Sequence, residues 1–150
     1  MAFSIVKYIH ILSAITAVGL NISYAIWIIR AQREPAHTGF TLKGIKFLDD
    51  RIANPAYGVL LLTGLLLVFI GNLSITSLWI IVALLLFVIL VVLAVAVYSP
   101  LLRELIKLVD AGDTSSPEFS RLSGRNRIMG PAFGVIVVLI LVMMVFKPTL

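Results

Sequence analysis

The sequence of 150 residues contains no cysteine and few charged residues. Without cysteine the chain has no disulfide bond, no thiolate metal ligand and no thiol nucleophile. Charged residues make up 13% of the chain and hydrophobic residues 61%, whereas soluble domains have roughly 25% charged residues. A chain of this composition is not soluble in water by itself, so we expect an integral membrane protein.

Several kinds of functional motif are also missing. With two histidines and Asp49–Asp50 as the only adjacent acids, no group of residues has the spacing of a structural zinc site. There is no glycine-rich phosphate loop and no nucleophile elbow. We interpret Asp49 and Asp50, next to Arg51, as solvated groups at the membrane surface. Because no acid lies within an apolar run, a proton-coupled transporter is not expected.

Three uncharged runs predict membrane-spanning helices. They cover residues 8–29, 52–102 and 128–146, and one span needs about 20 apolar residues. The middle run is long enough for two spans and contains one cluster of turn-forming residues, at 71–77. We therefore predict an all-α integral membrane protein, a bundle of four transmembrane helices in a single domain, 1–150. The predicted helices cover about residues 5–29, 54–70, 78–102 and 129–146.

The distribution of positive charge predicts the orientation. The segments 30–51 and 103–127 hold ten of the twelve lysines and arginines, whereas residues 71–77 hold none. By the positive-inside rule both segments are cytoplasmic and both termini lie outside, which fits a bacterial inner membrane. Each segment also alternates polar and apolar residues at helical spacing, so we expect amphipathic helices lying at the membrane surface. The net charge is +5. The basic residues flank the spans and form no separate patch, so the charge does not indicate nucleic-acid binding.

One motif occurs twice in the chain. Residues 51–59 read RIANPAYGV and residues 127–135 read RIMGPAFGV, which are identical at six of nine positions. Both copies begin a span that leaves the cytoplasmic side, so we predict that 1–76 and 77–150 are repeated helical hairpins of parallel orientation. The alternative is that an interfacial arginine, a helix-starting proline and packing glycines recur for the same local reasons.

His10 is the residue that points most directly to a function. An ionisable side chain inside a span is costly and usually faces a partner within the bundle. At about 100° per residue, small and polar residues share its side of the helix: Ser13, Ala14, Ala17, Asn21 and Tyr24. This face is either a packing seam or one wall of a cofactor site. The helix from His10 to Arg30 is about 30 Å long. The other histidine, His37, therefore lies near the opposite membrane face, and the two histidines cannot bind one ligand together.

A haem bound by His10 would need a second axial ligand at the same depth. Met143 and Met144, near the end of the fourth span, lie at about that depth. His/Met ligation is one known haem arrangement, although methionine is also an ordinary residue of apolar cores. A second copy of His10 in a dimer and a five-coordinate iron are the alternatives. The predicted cofactor-binding residues are His10, Ser13, Asn21, Tyr24, Met143 and Met144, with His10 as the ligand of the iron.

Three short stretches resemble a known family. Residues 7–14 (KYIHILSA), 54–57 (NPAY) and 62–64 (LTG) resemble the predicted integral membrane family called domain of unknown function 2269, and the resemblance covers essentially the whole chain. The opening histidine helix and the Pro-Ala second helix are also similar to the copper-resistance D membrane domain and the J-type protoporphyrinogen oxidase. The oxidase resemblance implies that His10 matches its haem-ligating histidine. The lysine early in that family's third helix has no counterpart in residues 77–83.

These observations lead to three hypotheses about function. The leading one is a small four-helix membrane protein that binds haem b or a similar ligand through His10, with an electron-transfer or haem-pathway role. The second is a non-catalytic membrane subunit or scaffold in which His10 forms a hydrogen bond inside the bundle. The third is a small carrier or channel that uses the cleft between the two halves. Whether the protein is an enzyme stays open, and the expected partners are lipid, other membrane proteins or a second copy of the chain.

Overall fold

The computed structural model describes residues 1–148, and this part of the chain is helical without any strand. Long apolar runs favour helices because a helix satisfies its own backbone hydrogen bonds, which lipid cannot do. In chain order the helices are α1 (Ala2–Arg33), α2 (Thr38–Leu48), α3 (Asn54–Ile70), α4 (Leu78–Leu93), α5 (Ser99–Asp110) and α6 (Pro117–Phe146).

Four continuous helical segments are long and apolar enough to cross a membrane. α1 and α6 each form one segment. The other two are composite, because α2 leads into α3 and α4 leads into α5 without a break. The segments cover Ala2–Arg33, Pro35–Ile70, Leu78–Asp110 and Pro117–Phe146. The predicted all-α bundle with four membrane-spanning helices is therefore confirmed.

A π-helical turn joins the helices of each composite segment. The turns cover Asp49–Ala53, between α2 and α3, and Ala94–Tyr98, between α4 and α5. In each, the residue after the turn donates its amide hydrogen to the carbonyl of the first residue of the turn. Pro55 and Pro100 come one position later. Since a proline has no amide hydrogen for the helical ladder, the wider turn before it lets the helix continue.

The bundle consists of two packed pairs of antiparallel helices. α1 packs against α3, and α4 packs against α6. Contacts of α1 with α6 and of α2 with α5 join the two pairs. This arrangement puts residues of the first half of the chain in one pair and residues of the second half in the other. The internal repeat itself stays a prediction.

The two amphipathic segments continue the spans and pack against each other. Lys43 of α2 and Asp110 of α5 form an ion pair of 2.6 Å between Nζ and Oδ1. Beneath it, α2 and α5 bury apolar residues in the common core: Leu42, Ile45, Leu102 and Leu105. The expected amphipathic helices are present, and their apolar stripes cover each other. Their position at the membrane surface stays a prediction.

The start of α1 and the end of α6 lie at the end of the bundle that carries the α3–α4 turn. The ring of Phe3, in α1, would be 3.1 Å from a Cβ atom placed on Gly71. At the end of α6, the Lys147 ammonium lies 5.3 Å from the centre of the Trp79 ring. α2, α5 and the first turns of α6 form the opposite end. Which end faces the cytoplasm stays a prediction from the charge distribution.

Serine-to-cysteine substitution tests the orientation, because the chain has no cysteine of its own. Ser74 and Ser115 are both exposed and lie in turns at opposite ends of the bundle. In intact cells we expect a membrane-impermeant maleimide to label Ser74→Cys and not Ser115→Cys. Both variants should be labelled after the membrane is permeabilised. Labelling of Ser115→Cys alone in intact cells would reverse the predicted orientation.

Candidate functional site

A hydrogen bond between His10 and Thr63 connects α1 to α3. His10 Nδ1 lies 2.9 Å from Thr63 Oγ1. The Thr63 hydroxyl also lies 2.6 Å from the carbonyl oxygen of Val59, to which it donates its hydrogen. Thr63 Oγ1 therefore accepts from the ring, so in the neutral imidazole the proton lies on Nδ1. In this tautomer the other ring nitrogen, His10 Nε2, carries the lone pair.

Gly64 allows the imidazole to lie close to α3. A Cβ atom at this position would be 3.2 Å from His10 Cε1, which is closer than a side chain normally approaches. His10 is half-buried and Thr63 is buried. Thr63 is not among the site residues predicted from the sequence, although the sequence contains a signal for it. Thr63 is the one hydroxyl residue between Tyr57 and Gly71 in an otherwise apolar run.

The predicted site residues on α1 do not form a single site with His10. The Asn21 amide donates to Tyr57 Oη, 2.8 Å away, and Tyr24 is buried. Tyr24 comes fourteen residues after His10, or about 21 Å along a helix. Ser13 is half-buried between them. The face predicted from helical spacing therefore contacts different partners at its two ends.

The two methionines lie on the last turns of α6. Met143 is half-buried and Met144 is exposed. Neither sulfur forms a hydrogen bond with His10 in the part of the chain that the structure describes, and the polar partner of His10 is Thr63. A role for Met143 or Met144 as an axial ligand stays a prediction.

A second group of polar side chains lies nearer the end of the bundle that α2 and α5 form. It lines a cavity of about 10 Å³, measured as the space open to the centre of a water-sized sphere. Gly130 and Phe133 of α6 belong to the apolar part of the wall, so all four spanning segments contribute to it. A cavity of this size holds about one water molecule. We call the polar residues of the wall the polar centre: Asn21, Tyr24, Asp49, Tyr57 and Tyr98.

Asp49 is buried, so its interpretation as a solvated group is wrong. It is 5% exposed, whereas Asp50 is exposed and forms an ion pair with Lys46. The reason is helical spacing, because Asp49 is four residues from both Ile45 and Ala53, which are buried in the core.

The environment of Asp49 favours its neutral form. Burial raises the pKa of the Asp49 carboxyl, and the negative charge of Asp50 raises it further, while Lys46 and a hydrogen bond with the Asn54 side chain lower it. Asp49 belongs to the π-helical turn before α3, three residues before the uncharged run that begins at Ile52. Asp49 is the one carboxylic acid of the polar centre, and it lies at the boundary between the spans and the amphipathic segments.

Two buried polar atoms near this cavity have no hydrogen-bond partner among the described residues. They are the hydroxyl oxygen of Tyr24 and Oδ1 of Asn126. Asn126 lies one helical turn before Gly130 and two turns before Phe133, so it shares their face of α6. Buried polar atoms in proteins nearly always have a partner, which is often an ordered water molecule.

The comparison with known families settles the class of the protein. The family described as a predicted integral membrane protein (DUF2269) matches residues 4–148. The chain belongs to this family. No curated protein and no solved structure matches it. Membership of the DUF2269 family and four apolar helices place the protein in a lipid bilayer.

Replacing Thr63 by valine tests whether its hydroxyl holds His10. The variant keeps the shape of the side chain but leaves Nδ1–H without its acceptor, so we expect a loss of about 1–3 kcal/mol in the free energy of unfolding. Thr16→Val is the matched control, because Thr16 Oγ1 donates only to the Leu12 carbonyl of its own helix. Unfolding in mixed micelles measures both variants.

A double-mutant cycle with His10→Ala isolates the bond between the two side chains. We expect a coupling energy of about 0.5–2 kcal/mol for His10 and Thr63. The Thr16 variant should be additive with His10→Ala. Additive behaviour of the Thr63 variant as well would show that the two side chains do not interact.

Proposed function

We propose that this DUF2269 protein binds b-type haem through His10 Nε2 and acts in electron transfer or in a haem pathway. The observation that carries the proposal is the hydrogen-bond chain from His10 Nδ1 through Thr63 to the Val59 carbonyl. Histidines that ligate metals usually donate the hydrogen of their other ring nitrogen to a neighbouring acceptor, which fixes the orientation of the ring. Thr63 provides this acceptor for His10.

The residues present fit one axial position of a haem. In this tautomer the lone pair of His10 lies on Nε2, and Gly64 lets the ring lie close to α3, where a Cβ atom would crowd it. Pockets for ligands of drug size have volumes of about 300–1,000 Å³, whereas the cavity of the polar centre admits one water molecule. A porphyrin on His10 would therefore lie on the outer face of the bundle or between two chains. When bound, haem would supply one-electron redox chemistry.

The second axial position has three candidates, which differ in the iron spectrum and the reduction potential. Met143 or Met144 would give His/Met ligation and a raised potential. His10 of a second copy would give bis-histidine ligation in a homodimer. A five-coordinate iron would have no second protein ligand. Met143→Leu and Met144→Leu separate these cases, because only His/Met ligation predicts that one of the two variants lowers the potential.

An absorption spectrum of the purified protein tests the proposal. After growth with ample haem precursor we expect a Soret band that His10→Ala abolishes. His37→Ala is the matched control, because His37 is the other histidine of the chain and is exposed. Thr63→Val should keep the band but weaken haem binding about tenfold or more, since metal sites typically lose 10–100-fold when such a neighbour is removed.

The possible results have definite consequences. A wild-type protein without a Soret band contradicts the haem proposal. A band that survives in His10→Ala shows that haem binds through another residue. If His10→Ala does not fold, His10→Gly with added imidazole replaces it, and the band should then depend on imidazole.

A membrane subunit or scaffold is the second candidate, and one observation favours it. The hydrogen bond to Thr63 already gives His10 a partner inside the chain, which is what a purely structural histidine requires. This hypothesis predicts co-purification with another membrane protein under mild detergent. It also predicts that His10→Ala destabilises the bundle while the wild-type protein has no haem spectrum.

A further inference from the structure

The polar centre is a built site that the haem proposal does not use. It brings together one carboxyl group, three tyrosine hydroxyls and one amide from three of the four spanning segments. Both π-helical turns contribute to it, because Asp49 begins the first and Tyr98 ends the second. Turns of this kind are rare in helices and are frequently found at functional sites.

The Tyr24 hydroxyl gives independent evidence for a bound molecule. Tyr24 is 5% exposed and lines the cavity, and its hydroxyl has no hydrogen-bond partner among residues 1–148. Tyr57 Oη accepts a hydrogen from Asn21 Nδ2, so the hydroxyl hydrogen of Tyr57 can be donated to another acceptor. A water molecule can both donate and accept, and the cavity is large enough for about one.

The groups around Asp49 identify the carboxyl as the group that changes charge. The first segment contributes Tyr24, which is a weak acid with an ordinary pKa near 10. The fourth segment contributes Gly130 and Phe133 to the cavity, and neither carries a charge. The titratable and charged groups that act on Asp49 are Lys46, Asp50 and Tyr57 in its own segment, Tyr24 in the first and Tyr98 in the third.

We propose that the polar centre is a proton-binding site, in which Asp49 takes up a proton from the aqueous phase and one water molecule in the cavity joins it to Tyr24. The carboxylate gains the proton and becomes a neutral carboxyl, and no other bond changes. This site is separate from the proposed haem site. It lies nearer the end of the bundle that α2 and α5 form, and it involves none of His10, Thr63 and Gly64.

Proton binding at Asp49 links the stability of the bundle to pH. Its pKa is raised in the folded protein above the ordinary value of 3.8. The contribution of the protonated carboxyl is therefore fully present below pH 3.8 and is lost as the pH rises through the folded pKa. Asp49→Asn is neutral at every pH, so it should be more stable than the wild type in alkaline buffer and should lose this part of the pH dependence.

Infrared titration of the whole chain in lipid vesicles measures the proton directly. We expect one protonated carboxyl band that persists to higher pH than those of the other acids, and that disappears in Asp49→Asn. Asp50→Asn is the matched control and should keep this band, with its midpoint at a lower pH, because Asp50 is exposed and its charge raises the pKa of Asp49. If Asp49→Asn does not fold, wild-type protein with ¹³C-labelled aspartate carboxyls should show one of four aspartates titrating late. Identical titration of the wild type and Asp49→Asn, or four aspartates that titrate together, would overturn the proposal.

Tyr24→Phe tests the water molecule in the cavity. If water bonds to the hydroxyl, the variant should have a lower Tm and a shifted midpoint for the late carboxyl band. Tyr8→Phe, at an exposed tyrosine, should change neither. A Tyr24→Phe variant with an unchanged or higher Tm and an unchanged midpoint would rule out the water link. His10→Ala should leave the titration as it is in the wild type, so failure of the haem proposal would not affect this result.

Discussion

Polar groups inside a bundle surrounded by lipid need partners within the protein, and the structure depends on this constraint. For the backbone the constraint produces four long helices, since each helix satisfies its own amide and carbonyl groups. For side chains the constraint determines which faces of the helices pack against each other. His10 meets Thr63, and Asn21 meets Tyr57, so both polar residues hold α1 against α3. The apolar surface that remains faces lipid, and it has little preference for one neighbouring helix over another.

The same constraint explains why the two ends of the bundle differ. At the end with the chain termini the helices are joined by a short turn, and His10 is the ionisable residue paired inside the bundle. At the other end α2 and α5 extend the spans beyond the apolar region, and they cover each other with their leucine and isoleucine side chains. Covering this end buries Asp49, which would otherwise lie in water. The polar centre is thus a consequence of how the amphipathic segments pack.

The sequence predicted the helices well and the partners of polar residues poorly. Uncharged length and the cluster at 71–77 define four spans, because a bilayer sets the length of an apolar helix. Helical spacing correctly put Asn21 and Tyr24 on the face of His10, but spacing along one helix does not show what another helix contributes. Thr63 and Asp49 belong to the second segment, and for that reason Thr63 was missed and Asp49 was interpreted as solvated. Their environments follow from the packing of α3 against α1 and of α2 against α5.

By itself the sequence determined that this protein crosses a membrane four times, that it has no thiol chemistry, and that one histidine lies within a span. These properties follow from which residues the chain contains and from their order, and they do not depend on how the helices pack. Only the tertiary structure decided that Asp49 is buried while Asp50 is exposed, although the two are neighbours with the same side chain. The reason is that a helix turns successive residues by about 100°. One of the two therefore faces the packed interior, and which one depends on where the other helices lie.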